Sequence, residues 1–409
     1  MPELDQLLRH AVEQRASDVH LKVGSRPHLR IDGRLVEAPF ELLEPEAAER
    51  LAFSIMPEAK ANEFRRRGEV DFVYAAAGLG RFRVDAFRQR GWVGLVLRRV
   101  LPGIPGFDAL GLPEVLAQLA EERSGLVLVT GLAGSGRTST LAAMVDQINQ
   151  HSARHVVTIE DPIEVLHPDK AGIVDQREVG TDTASVVDAL AHALRQDPDV
   201  IVVSALREAA AARAALEAAD IGHLVLAGMT TVSTVDSITR FIDFFAPHQQ
   251  RPVRCLLARA LRGVVCQRLL PRAGGRGRVP AVEVLVVNGP MAQCLAAEEL
   301  DVIALEYLLA GGEYYGMQTF DESLSELYRR GLISLDVAVA NASSPVTLRP
   351  ALEAFDRTRL ATGVVAPPPP APPPLPVAPA IAAGLVQPPA PDAPASSPPQ
   401  PDGAGALVS

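Results

Sequence analysis

The residues whose types and spacing promise chemistry are Gly131-Leu-Ala-Gly134-Ser135-Gly136-Arg137-Thr138-Ser139, which follow the apolar run Leu126-Val-Leu-Val-Thr130 and lead into a helical stretch over 140–150. Strand, glycine-rich loop and helix in that order make a P-loop. Its glycines let backbone N–H groups converge on a phosphate at a helix N-terminus, where the dipole also favours an anion, and the Thr138 hydroxyl is placed to bind Mg²⁺. Gly131, Gly134, Ser135, Gly136, Arg137, Thr138 and Ser139 are therefore the expected phosphate cradle. One residue departs from the pattern. Lysine is required where Arg137 stands, and a wide planar guanidinium is no conservative exchange for a compact ammonium in a crowded loop. The G-x-G-x-x-G spacing of dinucleotide-binding enzymes is absent at this strand.

These residues need a scaffold. From Gly125 to about Val287, apolar strand candidates over 125–130, 155–159, 200–203 and 223–226 alternate with helix patterns, which predicts an α/β fold with a mostly parallel sheet covered on both faces. Residues 1–100 mix a helix over 4–16 with alternating segments at 19–23, 27–31 and 80–87, and the Asp32-Gly33 turn signal separates strand-like runs. That reads as a small α+β domain, joined by a Pro/Gly-rich linker at 101–106 to a larger domain over 107–360. Residues 291–360 read as helices, one of them over 322–330 and stopped by Gly331. Beyond Gly363 the composition changes. Residues 364–409 hold about half of the 34 prolines, with Ala, Ser and Gly between them, and are expected to be a disordered tail.

Composition excludes several functions. The 409 residues are 48% hydrophobic and only 4% aromatic, and 39 basic against 49 acidic side chains leave a net charge of −10. Few stacking rings and no basic field argue against nucleic-acid binding. No signal peptide or apolar span is recognisable, so no direct membrane insertion is expected. Cys255, Cys266 and Cys294 show no paired spacing and read as reduced core residues of a cytoplasmic protein.

Several further segments carry a family resemblance: Ala16-Ser-Asp-Val-His-Leu21, Gly80-Arg-Phe-Arg-Val84, the P-loop, Thr158-Ile-Glu-Asp-Pro-Ile-Glu164, Arg177-Glu-Val-Gly-Thr-Asp182, Asp197-Pro-Asp-Val200, Gly222-His-Leu-Val225 and Tyr315-Gly-Met-Gln-Thr-Phe320. Over 1–348 the chain resembles the PilT-type ATPases, the type IV pilus retraction motors of the secretion ATPase superfamily. The resemblance implies a PAS-like N-terminal domain, a RecA-like nucleotide domain and ATP with Mg²⁺ as ligands. It also implies a homo- or hetero-hexameric ring with a PilT-like ATPase, at the cytoplasmic face of an inner-membrane pilus machine and its platform protein. It makes Glu160 the carboxylate that helps order Mg²⁺ and the attacking water, with a helix N-terminal acid as the plain alternative. Arg81 and Arg98 fall in segments that deliver arginines to the transferring phosphoryl group. His223 matches the first histidine of a His box, or is simply structural.

The same comparison exposes departures. Ala205 in Ser204-Ala-Leu-Arg-Glu208 stands where the family has the Walker B glutamate, Thr230 where it has the second His-box histidine, and Gln293 where an arginine is associated with retraction. Alanine accepts no proton, and losing such a group costs ~10²–10⁴-fold in rate. Three readings stay open at this level. They are a catalytically impaired accessory ring subunit, a slow but active motor relying on Glu160, and an interaction module with a vestigial P-loop and a partner-recruiting tail.

Overall fold

The computed structural model describes residues 4–362 apart from 32, 101, 102 and 276. The proline-rich segment 364–409 lies outside them, as do Asp32 and the first two residues of the expected linker. Helix α1 (Leu4–Glu13) buries Leu4, Leu7, Leu8 and Ala11, the spacing of a single helical face. It ends short of the expected Ala16 because Arg15 turns the backbone with φ 55°, which lets Ala16 enter the core ahead of the first strand. Strands β1 (Asp18–Leu21), β2 (His28–Ile31) and β3 (Arg34–Glu37) precede helices α2 (Pro45–Ile55) and α3 (Glu58–Arg67). Strands β4 (Glu69–Ala76), β5 (Gly80–Gln89) and β6 (Trp92–Val100) complete an antiparallel sheet of order β3-β2-β1-β6-β5-β4. Along β5, Phe82, Val84 and Ala86 are buried while Arg81, Arg83 and Asp85 face the other way, so one face packs against α1–α3 and the other stays open.

After short helices α4 (Phe107–Leu110) and α5 (Val115–Glu121), the larger sheet is assembled by β7 (Gly125–Thr130), α6 (Arg137–His151), β8 (His155–Glu160), β9 (Ile173–Glu178), α7 (Val186–Ala193), β10 (Val200–Val203), α8 (Ala209–Asp220) and β11 (Leu224–Met229). Helices α9 (Thr234–Asp243) and α10 (Pro247–Ala260) lead to β12 (Leu261–Pro271) and β13 (Arg278–Val286). The strand order is β13-β12-β7-β11-β10-β8-β9, parallel except for the antiparallel edge strand β13. Every residue of β7 is buried, and alternate side chains feed two different cores: Leu126 and Leu128 join α7–α10, whereas Val127 and Val129 join α5 and α6. This is the two-faced burial that continuous apolar runs require.

The chain closes with α11 (Gly289–Ala296), α12 (Val302–Ala310), a 3₁₀ turn at Glu313–Tyr315, α13 (Phe320–Arg329), α14 (Leu335–Ala340) and α15 (Pro345–Thr362). Helices α13–α15 pack on β12 and β13 around Cys266, Leu270 and Phe320. Of the three cysteines expected in the core only Cys266 is there; Cys255 is exposed on α10 and Cys294 half-buried on α11, because both helices turn one side outward. Among the described residues no helix is long and apolar enough to cross a membrane.

Buried Glu283 of β13 joins two of these helices. One carboxylate oxygen accepts from Thr234 N–H at 2.7 Å and Thr234 Oγ1 at 2.9 Å, and the other from Phe320 N–H at 3.3 Å, so the N-termini of α9 and α13 share one anion. The positive ends of both helix dipoles favour it. Glu283→Ala strands these donors, with an expected loss of about 3 kcal/mol of stability. The urea midpoint should fall accordingly; a midpoint equal to the parent's would contradict the role assigned to this carboxylate.

Candidate phosphate-binding site

The loop between β7 and α6 depends on three glycines with positive φ: Gly131 at 141°, Gly134 at 78° and Gly136 at 95°. A Cβ on Gly131 would strike the Ser135 side chain and come within 2.5 Å of the Gln267 carbonyl, and one on Gly136 would lie 2.8 Å from Gln267 Nε2. Gln267, buried in mid-strand on β12, donates from Nε2 to Ser135 O at 2.7 Å and accepts at Oε1 from Thr140 Oγ1 at 2.8 Å. Sequence reasoning missed this residue. The available signal was a lone amide within the apolar run Val264-Val-Cys-Gln267.

Helix α6 has no side-chain cap, and the N–H groups of Gly136, Arg137, Thr138 and Ser139 have no acceptor among the described residues. Ser135 Oγ is buried and likewise without a partner. A cluster of donors converging at a helix N-terminus fits an anion rich in acceptor oxygens. Thr138 faces a cleft shared with Thr158, Glu160, His167 and Ser204. No cluster of three or more His, Cys, Asp or Glu able to hold a metal occurs among the described residues. Thr138 and Glu160 line the same cleft with a hydroxyl and a carboxylate, oxygen donors of the kind that magnesium takes alongside phosphate and water.

Glu160 ends β8, half-buried. Its carboxylate accepts from Thr158 Oγ1 at 2.6 Å and Gln176 Nε2 at 2.9 Å. Burial raises its pKa above the ordinary carboxylate value, and those two hydrogen bonds only partly oppose the rise. Gln176 also donates to Val165 O at 2.8 Å and accepts from His167 N–H at 2.8 Å, so one amide on β9 holds the segment after Glu160 against its strand. The His167 Nδ1 atom is buried without a partner. Burial lowers the His167 pKa to about 4, with Asp146 opposing and Lys170 reinforcing the shift.

The substituted positions also gather here. Arg137 Nη1 donates to Thr230 Oγ1 at 2.8 Å, directly joining two residues that are 93 positions apart. Burial lowers the Arg137 pKa, the neighbouring Arg207 charge adds to that, and Glu164 opposes it. Ala205 lies in the turn after β10, where Leu206 N–H donates to Gly228 O at 2.7 Å and Gly228 leaves no space for a Cβ beside Ser204 O. Arg207 pairs with Asp161 at 3.0 Å, tying this turn to the segment after Glu160, and Glu208 is exposed at the N-cap of α8. The loop, Ser204 and Thr230 thus follow the C-terminal ends of β7, β10 and β11, and Glu160 is the last residue of β8, all at the edge where open α/β sheets bind ligands.

Other singled-out residues are not part of this cluster. His223 precedes β11, at the opposite edge of the sheet from Thr230, and its Nδ1–H donates to Pro198 O at 2.8 Å, a structural contact. Gln293 is exposed on α11. Arg98 donates from Nε to buried Asp18 Oδ1 at 2.8 Å across the β1–β6 pair, and this bond chiefly raises its pKa, with nearby Glu164 contributing. The Arg81 side chain makes no hydrogen bond or ion pair among the described residues and sits on the open face of β5.

The model of the Type II/IV secretion system protein family matches residues 1–301. The chain belongs to this family. Within it, the chain is 39% identical over 347 residues to the type IV pilus ATPase PilU of Pseudomonas aeruginosa, covering 85% of this chain and 90% of the relative. It is 38% identical over 343 residues to the type IV pilus retractation ATPase PilT of the same organism, covering 84% and 99%. A crystal structure of the pilus retraction motor PilT with bound ADP superposes with a TM-score of 0.77 at 41% identity, over 84% of this chain and 98% of that one. The secretion-family match ends just before α12, so the remaining helices lie beyond it.

His167 gives this site a pH signature. Its folded pKa lies below the ordinary 6.5, so its contribution is fully present above pH 6.5 and is lost as pH falls toward about 4. His167→Asn should flatten thermal stability across that interval, as read by melting curves at stepped pH. A profile identical to the parent's would mean that the imidazole protonates freely in the fold.

Proposed function

We propose that this chain is a nucleotide-binding ring subunit of a type IV pilus machine in which hydrolysis is impaired, and that it assists or regulates a complete PilT-like ATPase in a homo- or hetero-hexamer. The observation that carries the reading is the convergence of the departures. Arg137 and Thr230 touch, and Ala205 lies on the adjacent strand end, while the phosphate loop, its clasp and the scaffold are retained. In this reading residues 1–100 form a PAS-like domain, 101–106 a linker and 107–360 a RecA-like domain with C-terminal helices. Gly131, Gly134, Ser135, Gly136, Arg137, Thr138 and Ser139 hold the phosphates of ATP, and Thr138 with Glu160 holds Mg²⁺, which neutralises phosphate charge when bound.

Of the two N-terminal arginines, Arg81 is available to a nucleotide without giving up a partner, whereas Arg98 must first leave Asp18. The protein acts in the cytoplasm at the inner-membrane platform of the pilus, neither inserting into the bilayer nor binding nucleic acid. A second reading, a slow retraction motor, is favoured by Glu160. That carboxylate lines the cleft beside Thr138, and its raised pKa is of the kind found in groups that handle protons.

Phosphate release with saturating Mg-ATP separates the two. The accessory reading expects the parent to bind ATP while releasing phosphate no faster than Arg137→Ala. Turnover that disappears in Arg137→Ala selects the motor reading, and Glu160→Gln should then abolish it. The lost base alone predicts a rate depressed ~10²–10⁴-fold.

A further inference from the structure

We propose that Thr230 is the positioning residue that seats the Arg137 guanidinium, so that the two side chains read the terminal phosphate of ATP as one unit. This rests on the nucleotide-binding reading of the phosphate loop. A guanidinium carries five N–H donors in a fixed fork and no acceptor, so the 2.8 Å contact runs in one direction, with Thr230 Oγ1 accepting from Nη1. The remaining Arg137 donors, on Nε and Nη2, have no hydrogen-bond acceptor among the described residues. One arm of the fork is thereby fixed by protein, and the others remain for phosphate oxygens, which planar guanidinium groups bind well. A lysine offers only a point charge on a flexible stem, without a planar fork to divide between a protein acceptor and a phosphate.

Thr230 is well suited to fixing a long side chain because its own loop is braced. Thr231 Oγ1 bonds Ser237 Oγ at 2.6 Å, Val232 N–H donates to Asp236 Oδ2 at 3.0 Å, and Val232 O accepts from Arg268 Nη2 at 3.0 Å. Thr234 is then held by Glu283. Left alone, the Arg137 side chain has four torsions to order and a neighbouring arginine repelling it. An anchored acceptor removes much of that freedom before a ligand arrives.

The test is calorimetric titration of the full-length protein with Mg-ATP and with Mg-ADP, using Thr230→Val, Thr230→Ser, Arg137→Ala and the Arg137→Ala/Thr230→Val double variant, each checked for an unchanged melting temperature. Thr230→Val keeps the shape and removes the hydroxyl, and should weaken ATP binding about tenfold, the scale of one hydrogen bond to a charged group, with ADP changed less than about twofold. Thr230→Ser should restore affinity to within about twofold of the parent. The double variant should bind ATP no more weakly than Arg137→Ala alone, because Thr230 acts through the arginine. Additive losses, equal weakening of ATP and ADP, or failure of serine to rescue would overturn the pairing while leaving the nucleotide reading intact. A parent that binds neither nucleotide would overturn both.

Discussion

The amide of Gln267 is the constraint on which the site depends. It uses both of its ends, donating to the backbone of the phosphate loop and accepting from the first turns of the following helix, and it does so from an adjacent strand in a fully buried position. Because the Gln267 main-chain carbonyl sits against Gly131 and its side-chain amide against Gly136, those positions must lack side chains, and the loop takes the left-handed backbone that only glycine enters freely. The N–H groups at the start of α6 are exposed to a ligand as a consequence. Loop shape and glycine placement therefore follow from a strand-to-loop contact and not from the loop alone.

Much of this fold was readable without coordinates, and the reason is burial. The strands over 125–130 and 200–203 are covered on both sides, so their sequences are unbroken apolar runs and their limits coincide with β7 and β10. Strand β9 was missed because it is an edge strand whose residues Asp175, Gln176, Arg177 and Glu178 interact with neighbouring loops, a pattern that resembles a polar connection. The helix expected over 140–150 begins three residues earlier, since a phosphate loop passes into its helix without a capping residue to announce the start.

The site was legible in its parts and not in its connections. Local motifs placed Arg137, Glu160, Ala205 and Thr230 on separate segments, but the bond from Arg137 to Thr230 depends on strands β7 and β11 lying side by side. The Gln267 clasp spans 132 positions, beyond any local pattern. Arg98 shows the opposite limit. Its segment marks it for a ligand, yet its chain offers it a buried aspartate, and only the β1–β6 register brings the two together.

Glu283 ties two parts of the chain together that lie far apart in sequence. It lies inside the family-matched region, but one of the helices it anchors, α13, lies outside it. The other, α9, begins four residues after Thr230. A carboxylate that grips both helix ends within hydrogen-bond distance is a short strut with little slack. Separating the start of α9 from the start of α13 would therefore strand buried N–H donors at one of them, so the C-terminal helices and the loop after β11 share one buried anchor.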